Sequence, residues 1–365
     1  MGFNCGIVGL PNVGKSTLFN ALTETASAAA ENYPFCTIEP NIGRVPVPDP
    51  RLDKLTELAK SAKTIATQLE IKDIAGLVRG ASKGEGLGNQ FLGAIREVDA
   101  ILHVLRCFED DDITHVEGGV DPARDAELIE TELLLADIES LERQREALVK
   151  RVRGQDKEAK ARLELADAIL PKMQDGVSAR ALELDGDPRN ILKPFNLLTV
   201  KPILYVLNVD EDSAASGNEL STQAAAMAEA QGAGHVVVSA AIEQELVGLD
   251  LADRLDYLES LGLTEPGLHR VIREGYALLD LLTFFTAGPK EARAWTTRRG
   301  SKAPEAAGVI HTDFQKGFIC AETIAYTDYV ELGGENAAKE AGKMRLEGKE
   351  YLVKDGDVFH FRFNV

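Results

Sequence analysis

The chain has 365 residues, more than one ordinary core takes up, so two or three domains are expected. Its 44% hydrophobic and 27% charged residues exclude a disordered chain, and no apolar run is long enough to cross a bilayer, so no membrane partner is expected. The net charge of −19 argues against indiscriminate binding to nucleic acid, and no sequence-specific DNA partner is expected.

In chain order, Phe3 to Val8 is a short apolar run, followed by a glycine-containing loop and the helical pattern Ser16 to Leu22. Leu69-Glu70-Ile71-Lys72-Asp73 alternates as a strand does, and Ala100 to Leu105 reads as a buried strand interrupted by His103. Pro202 to Leu207 and Val236 to Val238 are further apolar runs. Strands alternating with helical stretches predict parallel β-α units in a doubly wound α/β sheet. Between Arg124 and about Gly186 the period becomes helical, with Leu128, Leu133, Ile138, Leu141 and Leu148 on one stripe. Gly154 breaks that run, and a second helix carries Leu163, Leu165, Ile169 and Leu170 before Pro171. This predicts an antiparallel helical hairpin inserted in the α/β unit. After about Asp280, Thr283–Thr286, Phe318–Ala321, Glu350–Val353 and Val358–Phe363 read as short strands of a small β-rich domain with one or two helices.

Four cysteines, Cys5, Cys36, Cys107 and Cys320, form no C-x-x-C pair, which speaks against a thiolate metal site and a disulfide framework. Met1 to Gly6 lacks the basic region and cleavage site of a secretory signal, so a cytoplasmic location is expected. Two basic patches interrupt the acidic average. From Arg143 to Arg162 eight basic residues face three acidic ones, and Lys290, Arg293, Arg298, Arg299 and Lys302 are opposed by Glu291 alone. Most charge runs are solvated faces, but two such patches on an acidic chain suit an RNA-bearing partner.

The most specific signal is Gly9-Leu10-Pro11-Asn12-Val13-Gly14-Lys15-Ser16-Thr17, a complete G-x-x-x-x-G-K-[ST] between a strand and a helix. Backbone N–H groups of Asn12 to Thr17 are expected to close around phosphate oxygens at a helix N-terminus. Lys15 is expected to reach the β- and γ-phosphates, and the Ser16 hydroxyl to bind Mg2+. Asp73-Ile74-Ala75-Gly76 is a D-x-x-G at a strand end, so Asp73 suits a metal-bound water and Gly76 an N–H to the γ-phosphate. Thr37, between these motifs, is the candidate switch threonine for Mg2+. Gly80, Gly84, Gly86 and Gly88 suggest a segment that rearranges with nucleotide state.

These residues resemble a known family. Gly9–Thr17, Asn32 to Asn41 and Asp73 to Asn89 are similar to the Obg-related P-loop proteins and, within them, to the YchF Obg-like ATPases. Ala287 to Thr296 and Gly317 to Ile319 are similar to the same subfamily, over essentially the whole chain. The resemblance implies an Obg-type nucleotide domain at 1–123 and 197–279, a coiled-coil insertion at 124–196 and a ubiquitin-like TGS domain at 280–365. It further implies a Mg2+-dependent ATPase, using GTP less well, that acts as a ribosome-bound switch in translation or the stress response. The ribosome, as large subunit or assembled particle, would be held by the basic hairpin and the TGS domain. Guanine-specific relatives carry N-K-x-D, whereas this chain has Asn208-Val209-Asp210-Glu211 after a strand. Glu211, one methylene longer than Asp, does not keep the same pair of bonds to guanine, at about 1–3 kcal/mol of lost discrimination. By the resemblance, the Val209 backbone meets adenine, and Ser239-Ala240-Ala241 flanks the base.

Many GTPases orient water with a Gln after D-x-x-G; here that place is Leu77, which has no polar atom. His115, in the acidic loop Glu109 to Gly119, is the alternative, and it resembles the histidine given this role in the family. Asn12 stands where some relatives coordinate K+. Cys36, beside Thr37, is a candidate for the redox regulation described in the family. Two other functions remain open: a nucleotide-gated ribosome or RNA adaptor with incidental hydrolysis, and an Obg-type GTPase.

Overall fold

The computed structural model describes residues 3–30, 41–74, 87–110, 112, 114–116 and 118–364. The first part of the chain runs β1 (Asn4–Val8), α1 (Lys15–Ala30), β2 (Ile42–Pro46), α2 (Pro50–Ala59), β3 (Thr64–Ile65), β4 (Gln68–Asp73), α3 (Leu87–Glu97) and β5 (Ala100–Arg106). The middle part runs α4 (Pro122–Val152), α5 (Lys157–Gln174), α6 (Pro188–Ile191), β6 (Ile203–Asn208), α7 (Glu219–Ala230), β7 (Gly234–Val238), α8 (Ala240–Val247), α9 (Leu251–Ser260) and α10 (Gly267–Leu278). The last part runs β8 (Leu281–Ala287), β9 (Ala292–Arg298), α11 (Ala303–Ile310), α12 (Thr312–Lys316), β10 (Phe318–Ala325), α13 (Tyr326–Leu332), α14 (Glu335–Glu340), β11 (Arg345–Glu347) and β12 (Asp357–Phe363).

The first sheet has the order β2-β4-β1-β5-β6-β7, parallel throughout except for β2 against β4. Every residue of β5 and β6 is buried, as expected of central strands covered on both faces. The doubly wound α/β sheet read from the sequence is therefore present. Its strands end together: β1 opens into the glycine loop, β4 stops at Asp73, β5 at Arg106 and β6 at Asn208. Crevices at the carboxyl edge of such sheets are where ligands bind.

The second sheet has the order β11-β10-β12-β8-β9-β3. Its last strand comes from the first part of the chain, since β3 pairs parallel with β9. Leu52 and Leu55 of α2 join Phe285, Ile324 and Val358 in one apolar cluster. Arg51 also donates to Asp355 at 2.6 Å and lies over the Phe285 ring. Residues 50–65 thus pack with the C-terminal sheet, a contact that local periodicity does not reveal.

The hairpin is formed by α4 and α5, with Gly154 in the turn between them. Ala126, Ile129, Leu133 and Ala136 of α4 belong to the main core, and Leu141 and Leu148 belong to the hairpin core with Ala159, Ala166, Ile169 and Met173. The helix therefore passes through the boundary expected at residue 124. Asp137, fully buried on α4, accepts from Leu198 N at 2.7 Å, Thr199 N at 2.8 Å and Thr199 Oγ1 at 2.7 Å.

Three local expectations are corrected. Pro171 lies inside α5, which continues to Gln174; its ring removes one backbone bond, and burial of Ile169 and Met173 on either side in the hairpin core holds the helix together. Residues 350–353 form no strand beyond a single Lys302–Leu352 bridge. The C-terminal region carries four short helices, α11 to α14, where one or two were expected.

Candidate nucleotide site

The glycine loop is held in shape by the absence of side chains at two positions. Gly14 has φ +95°, and a Cβ there would stand 2.3 Å from Asn208 Nδ2. A Cβ on Gly9 would stand 2.6 Å from the Val104 carbonyl oxygen. Neither position tolerates a methyl group. Asn12 also takes a left-handed conformation, φ +63°, and its Nδ2 donates to the Thr114 carbonyl at 3.1 Å. Lys15 begins α1, is 8% exposed and donates from Nζ to the Leu10 carbonyl at 2.6 Å. Burial lowers its pKa, with Asp73 acting in the opposite direction. Burial raises the pKa of Asp73, while Lys15 and a hydrogen bond from Ser16 pull it down. Ser16 itself is exposed, and its hydroxyl donates to the Asp73 carboxylate.

At the other end lies a cavity of about 550 Å3 lined by Asn12, Gly14, Thr17, Phe108, Asn208 and Glu211, among others. Asn208, 3% exposed, joins two segments: its Nδ2 donates to Val13 O at 2.9 Å and its Oδ1 accepts from Ala240 N at 2.9 Å. Val209 is buried, and its N–H donates to Val238 O at 2.8 Å. Ala240 and Ala241 line the cavity, whereas Ser239 is buried as the residue preceding α8. Glu211 and Asp210 are exposed on the cavity rim.

Phe108, Glu109 and Asp110 also line this cavity and were not singled out from the sequence. They are shaped by Arg106, 1% exposed, which donates to Phe108 O and Asp110 O at 3.1 Å each and stacks 4.7 Å from the Phe108 ring centre. The available signal was an arginine ending an otherwise apolar strand.

His115 does not line that cavity. Its side chain is 6% exposed, and Nε2 lies 2.8 Å from Oδ2 of Asp125, itself 2% exposed. Asp125 stands in the first turn of α4, behind the Asp121 cap. Thr37, Cys36, Gly76, Leu77, Gly80, Gly84 and Gly86 lie outside the described residues.

Comparison with known proteins gives a consistent answer. Residues 4–136 match a family model described as 50S ribosome-binding GTPase. Residues 281–364 match the YchF-GTPase C-terminal model, described as a protein of unknown function. Ribosome-binding ATPase YchF of Haemophilus ducreyi is 58% identical over 365 residues, covering 100% of each chain. The protein of the same name from Bacillus subtilis is 53% identical over 367 residues, again covering 100% of each. The chain belongs to the YchF family. A solved structure, that of the Schizosaccharomyces pombe YchF GTPase, superposes with a TM-score of 0.89 at 38% identity, covering 99% of this chain and 98% of that one. The P-loop NTPase fold with a further C-terminal domain is accordingly the fold of this YchF chain.

The donor set of this YchF site fits a hard divalent cation. Asp73 Oδ1 is buried and has no hydrogen-bond partner among the described residues, and the Ser16 hydroxyl is beside the same carboxylate. Among the described residues, no three His, Cys, Asp or Glu side chains converge as a protein-only metal cage. A carboxylate and a hydroxyl so placed would supply part of a Mg2+ shell, which waters and phosphate oxygens would complete.

Proposed function

We propose that this chain is a Mg2+-dependent ATPase, using GTP less well, whose nucleotide state governs its docking on the ribosome. The observation that carries the choice of base is the Asn208-Val209-Asp210-Glu211 segment. Asn208 is occupied in joining the glycine loop to Ala240, Val209 is in the core, and Glu211 replaces the Asp that would clamp guanine. The names of the curated relatives, ribosome-binding ATPases, support the same reading.

In this account Lys15 leaves the Leu10 carbonyl for the β- and γ-phosphates, whose charge repays its burial. The backbone N–H groups from Asn12 to Thr17 cradle the phosphates, and Gly76 adds one to the γ-phosphate. Ser16 and Asp73, with Thr37, would hold Mg2+, which would supply positive charge to the phosphoryl oxygens. His115 orients the attacking water in place of the missing Gln. Asn12, whose Nδ2 is engaged by Thr114, would offer Oδ1 to K+. Asn208, Val209, Glu211 and Ala240 face the base, and Ser239, buried behind Ala240, supports that wall. The basic residues Arg143 to Arg162 and the C-terminal domain, read as TGS, would face the ribosome in the cytoplasm. The domain limits 1–123 with 197–279, 124–196 and 280–365 belong to this proposal.

Competing ATP against GTP in a steady-state hydrolysis assay tests the reading; a higher kcat/KM for GTP overturns it. The second reading, a nucleotide-gated adaptor, is favoured by Leu77. Single-turnover hydrolysis with and without ribosomes separates the two: an adaptor would show no acceleration.

A further inference from the structure

We infer that Asp125 is a positioning residue for hydrolysis, fixing the His115 ring in the tautomer that carries its proton on Nε2. The inference rests on the reading of His115 as the water-orienting group.

Two donors converge on the Asp125 carboxyl. Arg124 Nη2 reaches Oδ1 at 3.3 Å, and His115 Nε2 lies 2.8 Å from Oδ2. Arg124 has no acceptor and never loses its charge in a protein, so Oδ1 is committed as an acceptor. The carboxylate is acceptor-only, and its second oxygen then requires a proton on Nε2. In a neutral imidazole the acceptor is therefore Nδ1. Burial pushes the Asp125 pKa up, while His115 and Arg124 hold it down. The N-terminal end of α4 adds its own support for negative charge.

The anchor is rigid. Asp125 stands in the first turn of a 31-residue helix that buries Ala126, Ile129 and Leu133 in the main core. Twelve residues further on, Asp137 ties the same helix to Leu198 and Thr199 through three bonds. His115 lies on irregular chain between β5 and α4, and its neighbour Thr114 is bonded to Asn12 of the glycine loop. A group on a loop beside the phosphate cradle thus takes its ring orientation from a pinned helix, as metal- and substrate-facing histidines do from carboxylates behind them.

Arg124 makes the consequence of an isosteric change specific. In Asp125→Asn the amide turns its carbonyl to Arg124 and its NH2 to Nε2, which forces the proton of the ring onto Nδ1. The expected result is a kcat about ten- to hundredfold lower, the loss that removing a carboxylate behind a working histidine typically brings, with the KM for ATP within about twofold of the parent. Asp125→Asn combined with Arg124→Ala releases the amide to rotate and recovers turnover several-fold. The 15N ring signals of His115, assigned among 6 histidines by their loss in His115→Ala, move from the Nε2–H to the Nδ1–H pattern in Asp125→Asn and back in the double variant. Thermal unfolding of each variant shows whether the fold is kept.

An unchanged kcat in Asp125→Asn with full loss in His115→Ala overturns this inference and leaves the role of His115 standing. A raised kcat overturns it too, since the contact would then hold the ring away from the phosphate. Unchanged turnover in His115→Ala removes the reading on which it rests, whatever tautomer the spectrum shows. A ring pattern identical in parent and Asp125→Asn overturns it independently of activity.

Discussion

The two ends of the proposed nucleotide crevice are built in different ways. The phosphate end is one continuous piece of chain, Gly9 to Thr17, whose shape depends on glycines that admit no Cβ and on a helix that starts at Lys15. The base end is gathered from three distant pieces, Phe108 to Asp110, Asn208 to Glu211 and Ala240 to Ala241, joined through the Asn208 amide and shaped by buried Arg106. A site made of backbone and local order recognises what every nucleoside triphosphate shares. A site assembled from separate side chains is where discrimination is set, and where substitutions change the preferred ligand.

The largest expected effect tests the first half of this contrast. Lys15→Ala removes the one cation buried in the phosphate end among the described residues and lowers turnover at least ~10²-fold, equally for ATP and GTP, in a steady-state assay. An unequal loss would mean that the two ends are coupled. Next, Asn208→Ala cuts the tie between the ends and leaves the Val13 carbonyl and the Ala240 N–H without their partner. Urea unfolding should show a loss of about 3 kcal/mol; a loss under about 1 kcal/mol would show that the ends hold together without it.

A third test concerns pH. Glu243, 3% exposed on α8 behind Ala240, accepts from Gly267 N at 2.6 Å, yet burial raises its pKa to about 7. A raised carboxyl pKa means that its stabilisation is complete below the unfolded value and is lost as pH rises through about 7. The stability of the parent minus that of Glu243→Gln should therefore fall between about pH 4.5 and 7 by on the order of 3 kcal/mol. A flat difference would show that ionised Glu243 is fully accommodated by the start of α10. The smallest effect is expected at the rim: Glu211→Asp should shift the ratio of GDP to ADP affinity toward GDP by about tenfold.

How much was legible follows from the same contrast. The glycine loop, Asp73 and the doubly wound sheet are written in contiguous motifs and apolar runs, and the structure places them as read. The helical hairpin was legible from its period, but the passage of α4 through two cores was not, because periodicity does not say which neighbour a stripe will face. Phe108 and Arg106 escaped because their role depends on the crevice they border. The Asp125–His115 contact spans ten residues without regular periodicity. The β3–β9 pairing escaped because two-residue strands carry almost no pattern. Pro171 misled because a proline that would end an isolated helix is here carried inside one by the burial of Ile169 and Met173 on either side of it.

The central claim is an intact phosphate end joined to a base end that has given up its guanine clamp. Calorimetric titration of the purified full chain with ADP and with GDP, both in Mg2+, addresses it most directly. The account predicts tighter binding of ADP, whereas strong binding of GDP with no heat from ADP would contradict it.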